Sequence, residues 1–117
     1  MTALPADPHA DEPLIPMPAL TPEALRTAVE SLTPSRMQVF VRDLVNATTK
    51  AQELQSLAPL RTFVHTWAVF VAIQRSPSGG ARLRHLEVVV RAGGVDPVDA
   101  IAEIRKIHAV AAAEAGL

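Results

Sequence analysis

The four histidines are the side chains best suited to metal binding or proton transfer, since the chain contains no cysteine. They stand at positions 9, 65, 85 and 108. None of these spacings matches the HxxxH or HExxH patterns that place two imidazoles on one helix face. We expect His65 to be a partly buried histidine bonded to a neighbour such as Thr62 or Thr66. The sequence therefore predicts no metal site and no cofactor.

Asp99 and Glu103 are four residues apart in a predicted helix, so both carboxylates could lie on one face and exchange protons or bind a metal. The simpler interpretation is favoured: Asp99 opposes the positive end of the helix dipole, and Glu103 is a surface acid. The loop SPSGG at residues 76–80 lacks the Lys-Ser/Thr of a phosphate-binding loop, and no serine occupies a GxSxG elbow. We predict that the protein is not an enzyme.

A basic cluster between residues 75 and 91 supports a DNA-binding interpretation. Its positive side chains are Arg75, Arg82, Arg84, His85 and Arg91. Residues 83–106 also have the outline of a helix-turn-helix, with GGVD between two helices. Against this, the second helix would carry Asp99 and Glu103 towards the phosphates, and the net charge is −1. A DNA-binding regulator is therefore the alternative, and a solvated arginine surface is favoured.

Residues 60–74, LRTFVHTWAVFVAIQ, form the predicted central helix on which the rest of the chain is organised. Apolar side chains recur there at steps of three and four: Leu60, Phe63, Val64, Trp67, Phe70 and Val71. Apolar residues at 68, 69, 72 and 73 extend this face most of the way round, which predicts burial. Its β-branched and aromatic residues would also suit a strand, but the stretch is long for one.

Prolines mark the starts of five predicted helices, because proline suits the first helical position. They are Pro22, Pro34, Pro59, Pro77 and Pro97, and four of them follow the capping residues Thr21, Thr33, Ser76 and Asp96. The second helix should span 34–57, and two glycines should delay the fourth until Ala81. Three valines at 88–90 leave a strand over 83–91 open. Few aromatic residues and short connections favour an all-α bundle of four to five short helices.

The N-terminal residues 1–20 are predicted to be a disordered acidic tail, because prolines at 5, 8, 13, 16 and 18 exclude a helix. The alternative is that Leu14, Ile15, Met17 and Leu20 lie along a groove of the core domain, predicted at 21–92. No lysine or arginine precedes Arg26, and no apolar run could cross a bilayer. We therefore expect no signal peptide, no membrane contact and a cytoplasmic protein.

Residues 93–117 are predicted to form an amphipathic helix that is joined to the core by a glycine hinge, Gly93–Gly94. Its apolar stripe consists of Val98, Ile101, Ile104, Ile107 and Val110. The alanine-rich end is too slight to fill a core tightly, so this stripe could dock into a partner's groove or pair with a second copy in a dimer. The alternative is that the helix closes the bundle.

Between Thr21 and Pro77 the chain resembles a family of short actinobacterial proteins known only as a domain of unknown function. The residues that carry the similarity are Pro22, Ala24, Phe40, Ala47, Ala51, Leu57, Leu60, Val64, Trp67 and Ser76–Pro77. Such proteins are sometimes encoded beside RelE-type toxins, so the resemblance implies an antitoxin-like, non-catalytic role in protein–protein interaction. It transfers no catalytic residues, and the last 25 residues, from Gly93 onward, fall outside it.

Overall fold

The computed structural model describes residues 12–93 and 97–117. The helices are α1, Pro22–Leu32; α2, Met37–Leu54; α3, Ala58–Gln74; α4, Pro77–Ala92; and α5, Pro97–Glu114. A short 3₁₀ turn, Pro34–Arg36, leads into α2. Within the described residues there is no β-strand, so the predicted all-α bundle is confirmed.

Two of the predicted helix caps form as expected. The Thr21 hydroxyl accepts a hydrogen bond from the Ala24 N–H at 3.2 Å, and the Ser76 hydroxyl accepts one from the Gly79 N–H at 3.2 Å. Thr33 makes no side-chain capping bond, and the chain turns through the 3₁₀ segment before α2 begins at Met37. The predicted cap Asp96 lies outside the described residues.

The predicted bounds of α4 and α2 are wrong. α4 begins at Pro77 rather than at Ala81, because the Ser76 cap provides acceptors for the amides of Gly79 and Gly80. The strand considered for residues 83–91 is therefore excluded. α2 ends at Leu54 rather than at residue 57, because Gln55 takes up the left-handed conformation with φ 51°.

The helix predicted to be central, α3, is indeed buried. Its C-terminal half contributes Trp67, Ala68, Val69, Val71, Ala72 and Ile73 to the interior. One side packs against α1 and α2 in a cluster that includes Leu25, Val29 and Phe40. The opposite side packs against α4 and α5 in a second cluster that includes Leu83 and Ala111. α3 therefore joins the two halves of the bundle.

Four aromatic rings lie at the centre of the first cluster. The Phe40 ring meets Phe63 and Trp67 edge-on, with centroids 5.1 and 5.0 Å apart, and Phe70 meets Trp67 at 5.1 Å. Edge-to-face pairs of this kind stabilise a core by more than the free energy expected from the apolar area that they bury. Phe40 is fully buried, so this cluster fixes α2 against α3.

Residues 12–20 lie against the helices and are not part of a free tail. The Leu14 N–H donates to the Arg75 carbonyl at 2.8 Å, and the Arg75 guanidinium donates to the Ile15 carbonyl at 3.4 Å. Ile15 and Met17 pack against the core. The groove-bound alternative therefore holds for Ile15 and Met17, whereas Leu14 and Leu20 are exposed. The prediction for residues 1–11 lies outside the described residues.

The C-terminal helix α5 packs along α4 and also contacts α3. Ala100, Ala111 and Ala115 are buried, and Ile104 and Ile107 pack against the second cluster. Small alanine side chains allow a helix to approach its neighbours closely, so the alanine-rich end contributes to the core after all. Gly93 ends α4 in a left-handed conformation with φ 67°.

Replacing Trp67 by alanine should lower the free energy of unfolding by about 3–5 kcal/mol, the range for truncating a large buried aromatic side chain. Trp67 is 5% exposed and contacts three other rings. Urea unfolding measures the change. As a control, Val45→Ala alters a side chain that is 58% exposed and should stay within about 0.5 kcal/mol of the unaltered protein. A loss below about 1 kcal/mol for Trp67→Ala would contradict the central position of α3.

The double variant Ile15→Ser, Met17→Ser should be destabilised by about 2 kcal/mol, roughly half the transfer free energy of two fully buried side chains. The physical reason is that both side chains are half-buried against the core. Leu14→Ser is the matched control, because the Leu14 side chain points largely into solvent. Thermal unfolding followed by circular dichroism compares the two, and equal melting temperatures would show that the segment adds nothing to stability.

Candidate interaction surfaces

The structure does not keep the five residues of the predicted partner-binding stripe on one exposed face of α5. Ile104 and Ile107 pack inwards. Val98 is 65% exposed and Val110 is 53% exposed, but their positions on an ideal helix are about 120° apart. Ile101 is 38% exposed. α5 thus presents separate apolar side chains, and partner binding through this stripe stays a prediction.

Two of the four arginines proposed for nucleic-acid binding are engaged within the protein. Arg82 makes two hydrogen bonds to Glu103, at 2.8 and 2.9 Å. The Arg75 side chain is only 15% exposed and pairs with Glu114 at 3.4 Å. Arg84 and Arg91 remain exposed on α4. A continuous phosphate-binding row of four arginines is therefore not present.

The segment predicted as a helix-turn-helix has the geometry of an antiparallel helical hairpin. The Arg82–Glu103 pair links the first half of α4 to α5, and Ser76 and Gly79 lie near Lys106 and Val110. The two helices are in contact over much of their length, whereas the helices of a helix-turn-helix cross steeply.

The predicted acid–base and metal candidates do not converge. Glu103 is bound to Arg82, and Asp99 is exposed at the start of α5. In residues 12–93 and 97–117 no three His, Asp or Glu side chains lie close enough together to hold a metal ion. Among the same residues, no helix has both the length and the apolar character needed to cross a bilayer.

The three histidines of the described residues lie on the surface. His65 is exposed on α3, so its predicted partial burial is wrong. His65 lies on the face of α3 that is exposed to solvent in the N-terminal half of the helix. Only the C-terminal half of α3 is buried on all sides. His85 and His108 are also exposed, and His9 lies outside the described residues.

An apolar hollow of about 510 Å³, which we call the leucine groove, lies where three separate parts of the chain meet. It is lined by Leu20, Pro22, Leu57, Leu60, Arg61, Val64, His65 and Leu117. Leu57 is 62% exposed, Leu117 is 47% exposed and Leu20 is 40% exposed. These three leucines make the lining of the groove largely apolar and partly open to solvent.

The leucine groove has no continuous signal in the amino-acid sequence. Leu20 falls in the predicted tail, Leu57 lies between two helices, and Leu117 follows the end of α5. No helical period connects these positions, because only the packing of α1, α3 and α5 brings them together. The signal available in the sequence was limited to Leu60 and Val64, four residues apart on α3.

The fold and these surfaces define a small all-α bundle domain. The chain belongs to the family of unknown function DUF6247, which matches residues 14–112. The match begins in the segment bound to Arg75 and includes most of α5, so it extends beyond the resemblance seen at 21–77. No curated protein and no solved structure matches the chain.

Replacing Glu103 by glutamine should make the melting temperature less dependent on pH. Hydrogen bonds and charge from Arg82 hold the pKa of Glu103 below its ordinary value. A lowered pKa in the folded state means that the stabilisation is present above the ordinary pKa of glutamate and is lost as pH falls through the lower value. Between about pH 7 and about pH 3, the melting temperature of the unaltered protein should therefore fall more steeply than that of Glu103→Gln. The melting temperatures of the two proteins should converge in acid.

Arg82→Gln removes the other partner of the same ion pair, so it should reduce the pH dependence of the melting temperature similarly. Combining it with Glu103→Gln should cause little further change. The difference in melting temperature should be small, because both side chains are about half exposed. Parallel pH curves for the variants and the unaltered protein would show that the pair does not stabilise the α4–α5 hairpin.

Proposed function

We propose that this protein is a non-catalytic protein-interaction module that binds another protein at the leucine groove. The carrying observation is the contiguous apolar lining, in which Leu20, Leu57 and Leu117 are all substantially exposed. Covering these side chains with a partner would remove apolar surface from water, which is the main driving force for protein association.

The occupant that we propose is an amphipathic helix of the partner. Leu60 and Val64 form the floor along one turn of α3, with the more exposed leucines on either side. A groove of this kind suits apolar anchors spaced three, four and seven residues apart. Arg61 is the only Lys, Arg, Asp or Glu side chain among the described residues that line the groove. An acidic residue beside the partner's apolar anchors would complement it.

An antitoxin-like role is the specific form of this proposal. It is supported by the resemblance to proteins encoded beside RelE-type toxins. An antitoxin acts by binding and covering its toxin, so it needs a docking surface and no catalytic groups. The partner would then be a toxin encoded by the neighbouring gene, and the two proteins would meet in the cytoplasm.

Self-association through α5 is a second form of the same function. Val98, Ile101 and Val110 are exposed and available to a second copy. They are distributed around the helix, however, and offer a less continuous surface than the leucine groove. No observation favours the DNA-binding alternative, since Arg75 and Arg82 are held in ion pairs, and it stays a prediction.

Binding of the neighbouring gene's product to the purified full chain tests the proposal. Leu57→Glu should weaken binding by at least tenfold, as expected when an apolar contact that the partner would bury is replaced by a charge. Val45→Glu is the matched control, because Val45 is similarly exposed but lies on α2 outside the groove. Calorimetric titration measures affinity, and circular dichroism confirms that both variants fold.

Equal affinity of Leu57→Glu and Val45→Glu would contradict the groove as the binding surface. Failure of the neighbouring product to bind would contradict the antitoxin-like form. Size-exclusion chromatography with light scattering tests whether the chain associates with itself. A homodimer that Leu57→Glu abolishes would mean that a second copy, and not a partner's helix, occupies the groove. A homodimer abolished by Val98→Glu instead would assign association to α5.

A further inference from the structure

A second hollow, which we call the polar cleft, lies between the 3₁₀ turn, α3, α4 and α5. Unlike the leucine groove, it is lined by several polar and charged side chains. Its volume is about 650 Å³, within the usual range of small-molecule binding sites. The buried side chains of Val69, Ile73 and Leu83 form its floor, together with the half-buried Phe70 ring. The cleft therefore offers an apolar surface large enough for a small organic molecule.

The rim of the polar cleft carries an excess of positive charge. Arg36, Arg84, His65 and His108 line it, and Glu87 is the only carboxylate among its described lining residues. These side chains come from four different elements, so the fold brings them together. Arginine guanidinium groups bind carboxylates and phosphates through paired hydrogen bonds. The charge of the rim thus favours an anion.

Arg36 is positioned by a contact with an aromatic ring of the cleft floor. The Arg36 guanidinium carbon lies 5.6 Å from the centre of the Phe70 ring, a cation–π geometry. The Arg84 guanidinium lies over Gly80, where an added Cβ would come within 3.5 Å of its Nη1 atom and 3.1 Å of the Gln74 Oε1 atom. An added Cβ would crowd the Gln74 amide oxygen, whereas its contact with Arg84 would be an ordinary one.

Within the part of the chain that the structure describes, the Thr33 hydroxyl is an unpaired polar group at the wall of the cleft. Thr33 lines the cleft, and its hydroxyl oxygen is buried without a hydrogen-bond partner among the described residues. Buried polar atoms are nearly always hydrogen-bonded in folded proteins. Because this oxygen is buried, a ligand in the cleft would bond to it only after the Thr33 side chain turns towards the cleft.

We propose that the polar cleft binds a small organic anion, a carboxylate or phosphate attached to an aromatic or aliphatic group. The apolar group would lie on the floor beside Phe70, and the anionic group would meet Arg36 and Arg84 at the rim. This site does not depend on partner binding at the leucine groove, although His65 borders both hollows.

Titration of the ¹⁵N-labelled full chain with benzoate and with phenyl phosphate tests the site. At least one anion should cause saturable shifts in the amide spectrum, concentrated in residues 33–36, 65–74, 83–87 and 108–112. Benzylamine, which has a similar ring and the opposite charge, should bind at least tenfold more weakly. The absence of saturable shifts with both anions, or equal binding of benzylamine, would overturn the proposal.

Charge variants provide a signed test with the tighter-binding anion. Arg84→Gln should weaken binding about tenfold, and Glu87→Gln should strengthen it several-fold, because one removes an attraction and the other a repulsion. Arg91→Gln is the control, an exposed arginine on the same helix that does not line the cleft. If Arg84→Gln does not fold, Arg36→Gln replaces it. Equal weakening by Arg91→Gln, or no change in either cleft variant, would assign the binding to general surface charge.

Discussion

The edge-to-face contact of Phe40 with Trp67 is the interaction on which the rest of the structure depends. It joins α2 to α3 at the centre of the first apolar cluster, and Phe63 and Phe70 complete the group of rings. The opposite side of α3 supports the second cluster, which holds α4 and α5. Because one helix serves both clusters, a change in its position would move every surface described above.

The two hollows follow from this arrangement of helices around α3. α3 is buried on all sides only in its C-terminal half, so Leu60, Val64 and His65 remain accessible near its start. The leucine groove forms where the N-terminal segment and the end of α5 flank that region without covering it. The polar cleft forms on the side where the 3₁₀ turn, α4 and α5 approach α3 but leave space between them.

Charged side chains in this protein have different roles that depend on their neighbours. Arg75 ties the N-terminal segment to α5, through the Ile15 carbonyl and Glu114. Arg82 connects α4 to α5 through Glu103. Arg84, a short distance along the same helix, instead faces the polar cleft. The fold therefore divides the cluster of arginines into structural ion pairs, made by Arg75 and Arg82, and the proposed ligand contact of Arg84.

Local signals in the sequence determined most of the fold. Prolines and capping residues such as Thr21 and Ser76 act within one helical turn, so their effect on helix starts can be deduced without knowing the fold. The all-round apolar character of residues 67–73 likewise required a buried central helix. The prediction failed at Gly79 and Gly80, where the capping bonds of Ser76 outweighed the low helix propensity of glycine.

Only the tertiary structure decided which surfaces remain open. The position of residues 12–20 against the helices depends on hydrogen bonds to Arg75. The bond to the Ile15 carbonyl joins residues sixty positions apart, and no local sequence pattern encodes it. The pairing of Arg82 with Glu103 and the meeting of Leu20, Leu57 and Leu117 also join distant parts of the chain. Helical periodicity shows which face of a helix is apolar, but it cannot show which neighbour covers that face. That depends on how the five helices of the described chain pack.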